Sequence, residues 1–194
     1  MLKPVLLFAA ALFAAGPAFA QNVNVRGTVT AFDGKMLDVK TREGSDVKLE
    51  LPADMAVAAT KPFTLADLKP GMVLGVTTVR RGDDVVAIDV RPIPPAARRG
   101  LSPFDLAPES TMTNAVMEGA VAAGSNASEI TLNYGDGMVK VKVPPGTPMS
   151  QAVPGARSDI KPGETVFVST RREADGKLTP LRIQVSKDGV KPTQ

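Results

Sequence analysis

The 194-residue sequence contains no histidine, no cysteine and no tryptophan. Each absence removes chemistry. A serine nucleophile wants a nearby base, most often His, and a thiol nucleophile needs Cys. Zinc and copper(II) sites draw on the same two residues, and without Cys there is neither a disulfide nor a thiol to carry a lipid. Aromatic residues are nearly missing: beyond residue 20 there are Phe32, Phe63, Phe104, Phe167 and Tyr134. That is too few for the stacked platforms with which small barrels hold single-stranded nucleic acid. The formal charge of +3 supplies no basic surface for nucleic acid or anionic membrane. No catalytic residue, cofactor or dedicated metal site is expected, nor a nucleic-acid partner.

Residues 1–20 read as an export signal. Lys3 supplies the positive start, "PVLLFAAALFAA" the apolar core, and Ala18-Phe19-Ala20 the small-x-small cleavage pattern. The apolar run is broken by Gly16 and Pro17, short of the about 20 residues that span a bilayer, and no later segment is apolar enough to cross one. Cleavage would leave a chain from Gln21 with a charge of 22 − 20 = +2. A bacterial periplasmic or secreted location is expected.

What the chain does have is a repeated phrase. "LADLKPGMVLGVTT" (65–78) returns as "RSDIKPGETVFVST" (157–170), with Lys69-Pro70-Gly71 and Lys161-Pro162-Gly163 standing 92 apart. "VKLELP" (47–52) matches "VKVKVP" (139–144), and Gly27 matches Gly119, at the same spacing. "VAIDV" (86–90) matches "LRIQV" (181–185) at 95, the three added residues falling in a hairpin tip. Valine, threonine, glycine and proline give a strand-and-turn vocabulary. Strands are expected at 23–32, 36–42, 46–52, 72–80 and 85–91, and again at 115–123, 129–135, 138–144, 165–172 and 179–186. Val47, Leu49 and Leu51 alternate with Lys48 and Glu50, as a half-buried strand requires. Before the fourth strand, "TLADL" reads as one helical turn capped by Thr64. Lys-Pro-Gly is then the corner that ends the turn and enters the strand.

The expected fold is therefore all-β: a tandem pair of small five-stranded OB-like Greek-key barrels, each with a short helical turn before its fourth strand. The expected boundaries are a signal peptide at 1–20, a first barrel at 21–92, a Pro-rich linker at 93–114, a second barrel at 115–188 and a frayed tail at 189–194. The linker carries the basic pair Arg98-Arg99 and the apolar island Phe104 and Leu106. These four are the candidate partner-binding residues; the competing reading is a spacer whose Phe104 packs between the barrels. The acidic tips "RGDD" (81–84) and "EADG" (173–176) lack the spacing of a calcium loop, which leaves only weak divalent-ion binding. The dispersed methionines read as core fillers.

The early G-x-V, the L-K-P-G before strand four, the junction "FDLAPESTMTNA" and the ending "VPPGTP … DIKPG … KDGVKP" together resemble a family of small exported bacterial OB-like domains of unknown function, in a two-copy proteobacterial subgroup. The resemblance covers nearly the whole chain after residue 20 and implies fold rather than activity. Some relatives carry a metal-transporter permease label. The expected function is a non-enzymatic envelope binding module, meeting another envelope protein or a small ligand. The alternative is a periplasmic metal-binding or metal-handling accessory.

Overall fold

The computed structural model describes residues 21–123 and 127–193, so the expected signal segment lies outside the described residues. The chain is nearly all β. Its strands are β1 (Gln21–Phe32), β2 (Met36–Thr41), β3 (Asp46–Glu50), β4 (Val57–Pro62), β5 (Val73–Arg81), β6 (Asp84–Pro92), β7 (Gly100–Pro103), β8 (Thr111–Ala123), β9 (Ala127–Asn133), β10 (Met138–Val143), β11 (Ser150–Pro154), β12 (Thr165–Arg172) and β13 (Leu178–Val185). Among the described residues the helical content is two single 3-10 turns, Leu65–Asp67 and Arg157–Asp159. All ten expected strands are present. β4, β7 and β11 are additional.

The strands do not sort by repeat. β5, β6, β10, β9 and β8 are hydrogen-bonded in that order, and pairing of β5 with β8 closes the ring. This closed barrel is one continuous stretch of chain, 73–143, yet it takes two strands from the first repeat and three from the second. Its core is Leu74, Val76, Val90, Met117, Ile130, Leu132 and Val141, all essentially buried. Burying each such side chain is worth about 1.5–3 kcal/mol. The other sheet runs β11-β4-β13-β12-β1-β2-β3 and is built from the two ends of the chain. It curls over its own core of Val25, Val29, Leu37, Leu49, Val166, Val168 and Ile183. β3 comes back beside β13, where Lys177 Nζ reaches Glu50 Oε2 at 3.5 Å, but no ladder joins them. The expected division at 21–92 and 115–188 is therefore not the one the sheets follow. The closed barrel is inserted into the open unit.

β4 and β11 explain the difference. Each carries the chain across from one unit to the other, where a fold-back connection would have kept a repeat together. They pair antiparallel, with Thr60 opposite Ala152, two positions that are themselves 92 apart. Equivalent residues facing each other mark a local twofold axis, the geometry of exchanged elements in a symmetric dimer, here within one chain.

The repeated corner works across this exchange. The Gly71 N–H donates to Met117 O (2.8 Å) and the Gly163 N–H to Val29 O (2.9 Å), so each corner clips onto the first strand of the other repeat. Both glycines have positive φ, 84° and 91°, which favours glycine there. Thr64 stands at the N-cap of the first turn, as expected, and an aspartate reaching back fastens each turn: Asp67 Oδ2 accepts from the Thr64 N–H and hydroxyl, and Asp159 Oδ2 from the Ala156 N–H.

The ladders also correct one repeat match. Val29 pairs with Val39, and Met117 with Leu132, each just before a bulge. Val29 and Met117 are thus equivalent, a spacing of 117 − 29 = 88. The counterpart of Gly27 is accordingly Ala115, not Gly119. Space agrees: a Cβ on Gly27 would lie 2.1 Å from Lys40 O, whereas one on Gly119 meets nothing within 4 Å.

The linker and tail are more ordered than expected. Gly100–Pro103 forms β7 on the edge of β8, and 111–114 already belong to β8. In the tail Pro192 is buried and the Thr193 hydroxyl lies 3.2 Å from that of Ser150.

Candidate functional site

Alternation along β1, β6, β12 and β13 sends apolar side chains to the two cores and leaves Arg26, Asp89, Arg91, Phe167 and Arg182 on the opposite faces. Where the units face each other these residues meet, and the linker lies across them. The result is a groove of about 670 Å³. Its walls include Asn22, Asn24, Phe167, Ser169 and Arg182 from the open unit, Arg91, Met112 and Asn114 from the closed barrel, and Ile93, Ala97, Phe104 and Asp105 from the linker.

Cations and rings alternate along it. Arg182 lies 5.4 Å from the centre of the Phe167 ring, Arg26 5.3 Å from the same ring, and Arg26 again 5.5 Å from Phe104. Each such contact is worth about 0.5–1 kcal/mol when exposed and about 2 kcal/mol or more when desolvated. Arg26, only 9% exposed, is also held by a two-pronged ion pair. Its Nη1 and Nη2 donate to Asp105 Oδ2 and Oδ1 at 3.0 and 2.7 Å. Asn24 Nδ2 donates to both carboxylate oxygens at 3.0 and 3.2 Å. Partial burial pushes the Asp105 carboxyl up, but hydrogen bonds from Arg26 and Asn24 and the Arg26 charge outweigh it and hold the group below its ordinary value.

Beneath the groove a second pair is almost sealed. Asp89 is fully buried; its Oδ2 accepts from Arg91 Nη1 and, at 3.3 Å, from the Thr77 hydroxyl. Burial pushes the Asp89 carboxyl up against the pull of the Arg91 charge, and burial lowers Arg91 against the pull of Asp89. Arg91 Nη2 points at the Met112 sulfur, 3.4 Å away.

Of the four residues singled out in the linker, Phe104 is half-buried in this groove, on Arg26. Leu106 lines a separate hollow with Arg42, Ile88 and tail residues 189–193. Arg98 and Arg99 are exposed, and the Arg98 carbonyl accepts from Asn114 Nδ2 at 3.2 Å. The four do not form one surface. Sequence reasoning missed the arginines and Asp89; the available signal was a charged residue inside an apolar strand, as in "VVAIDVRP". Among the described residues no three His, Cys, Asp or Glu side chains converge as a metal site would need, and no helix is long and apolar enough to cross a membrane. No family model matches the chain, and neither a curated protein nor a solved structure matches it.

Proposed function

We propose that the protein is a non-enzymatic binding module, exported to the bacterial envelope, and that the groove between its two units is where it binds. We read both units as OB-like, nested rather than in tandem. One observation carries the functional reading: the groove gathers fixed guanidinium groups, two aromatic faces and three asparagines from both units and the linker. Half of the lining is polar and half apolar, and ligand sites likewise set placed polar groups against apolar wall. Among the described residues Ser169 is the one hydroxyl of the lining and Asp105 its one carboxylate, the latter already engaged by Arg26 and Asn24. That inventory supports recognition over bond-making chemistry.

Protein isolated natively from envelope extracts should carry a bound molecule, seen as added mass in native mass spectrometry. Ala97→Trp, which fills the groove from the linker side, should abolish it. Equal loading of that variant and the parent protein would refute the groove as the seat. The same preparation tests export, since the isolated chain should begin at Gln21.

A further inference from the structure

The chain carries three Arg-Arg pairs, at 80–81, 98–99 and 171–172. All six side chains are exposed, so exposure does not tell the pairs apart. Their backbones do. Arg80 and Arg81 are paired with Val85 and Asp84 across a tight hairpin. Arg171 and Arg172 are paired with β1 on one side and with β13 on the other. Arg98 and Arg99 belong to no strand. They stand between a turn, closed by the Ala97 N–H on Pro94 O at 2.9 Å, and the start of β7. β7 itself is a short edge strand, bonded to β8 along one side.

This matters for enzymes that cut after arginine. They hold the arginine side chain in a pocket floored by a carboxylate. They also need the flanking backbone extended and free to pair, as in any strand addition. The pairs at 80–81 and 171–172 have that backbone committed to ladders. The pair at 98–99 offers two arginines in a loop, followed by an extended segment with an open edge. Exposed loops of this kind are the preferred sites of nicking.

A cut there leaves the molecule assembled. Residues 21–99 and 100–193 are joined by the ladders β1–β12, β4–β11, β4–β13, β5–β8 and β6–β10. Both cores are shared as well. Val25, Leu37 and Leu49 pack with Val166, Val168 and Ile183, and Leu74 and Val76 with Met117, Ile130 and Leu132. A core divided in this way is the interface of obligate partners. Downstream of the cut, β7 stays on β8 and Asp105 stays on Arg26. Upstream, 93–99 remain covalently attached at the β6 end alone, and Ile93, Pro94 and Ala97 of the groove wall lie on that segment.

We propose that Arg98-Arg99 is a processing site for an endoprotease that cuts after arginine, and that the product is a stable two-chain protein with its linker wall released. Hydrolysis after Arg99 adds one water across the peptide bond and leaves an Arg99 carboxylate and a Gly100 ammonium. The assignment does not depend on what the groove holds.

Limited digestion of the full chain with trypsin, followed by intact mass spectrometry, tests the site. The first cut should fall within or directly after the pair at 98–99. The two fragments should elute as one particle in native size exclusion and separate in urea. The nicked protein should melt cooperatively, at a temperature that now rises with concentration. Arg98→Gln with Arg99→Gln should slow the first cut about tenfold or more, whereas Arg80→Gln with Arg81→Gln should leave its rate unchanged. All four side chains are exposed, so both variants are expected to fold. Protein isolated from envelope extracts should show Arg99 or Gly100 as a second N-terminus. A first cut elsewhere would overturn the choice of site. Fragments that part without urea would overturn the two-chain product, and an uncut chain in the envelope would overturn processing.

Discussion

The closed barrel and the open unit are made from the same repeated strands, yet they stand differently on the chain. The closed barrel is one stretch, and its longest ladder joins residues 142 − 86 = 56 apart. The open unit depends on β1 meeting β12, across at least 165 − 28 = 137 residues. In closure entropy alone the difference is small, about 0.8 kcal/mol by the logarithmic law. The larger difference is in what each unit needs first. The closed barrel has its own core and no free seam. The open unit needs the closed barrel in place to bring its two halves together, and even then β3 and β13 stay unbonded. Duplication thus yields two unequal partners: a self-sufficient insert and a host assembled around it.

The sharpest way to break this comparison is excision. Residues 72–149 alone are expected to fold, giving dispersed amide spectra and a cooperative melt. A chain in which 63–149 are replaced by a short flexible linker is expected to lose its structure. A disordered excised fragment would overturn the hierarchy. Next in size is the sealed pair at the junction. Asp89→Leu leaves Arg91 buried and uncompensated and should cost about 3–5 kcal/mol in urea unfolding, with Arg91→Met in the same chain restoring most of it. A loss under about 1 kcal/mol would show that the sealed pair contributes little to stability.

The two glycines once matched by spacing give a finer contrast. Gly27→Ala drives a methyl into the Lys40 carbonyl in the open unit, at a cost of about 1–3 kcal/mol or more. Gly119→Ala in the closed barrel should stay within about 0.5 kcal/mol. Thermal melts that show equal effects would restore the 92-residue equivalence. The smallest effect expected is acid release of the linker. Because the folded Asp105 carboxyl lies below its ordinary value, its contribution is present above the unfolded value, about 3.9, and is lost as pH falls through the folded one. Hydrogen exchange at Ser110 should rise on that acid side, and Asp105→Asn should abolish the response.

Ten strands were legible because alternation and turn glycines are local signals. Their partners were not. A repeated strand carries the same apolar face whether it pairs within its own repeat or with the other, so pattern alone fits both arrangements. The deciding segments, "VAATKP" and "SQAVP", have little alternation, and each contains proline. They become strands through tertiary pairing, which overrides weak propensity. The site was legible only in part. Phe104 stood out as an apolar island in a polar linker. Arg26, Arg91 and Arg182 lie far apart in sequence and meet only because the insert folds against its host.

The nested path also decides how the molecule would carry a load. The first and last strands, β1 and β13, belong to the open unit, so once the tail lets go, tension between the ends of the described chain reaches them first. Once those give way, the pull arrives at β4 and β11 through Val57 and Pro154, at the same end of their antiparallel ladder. That geometry opens like a zipper, one rung at a time. The closed barrel beyond it is loaded last. Stretching single molecules should therefore give an early soft extension and a later, separate rupture. A single all-or-none event would mean that the junction transmits force as strongly as the barrel resists it.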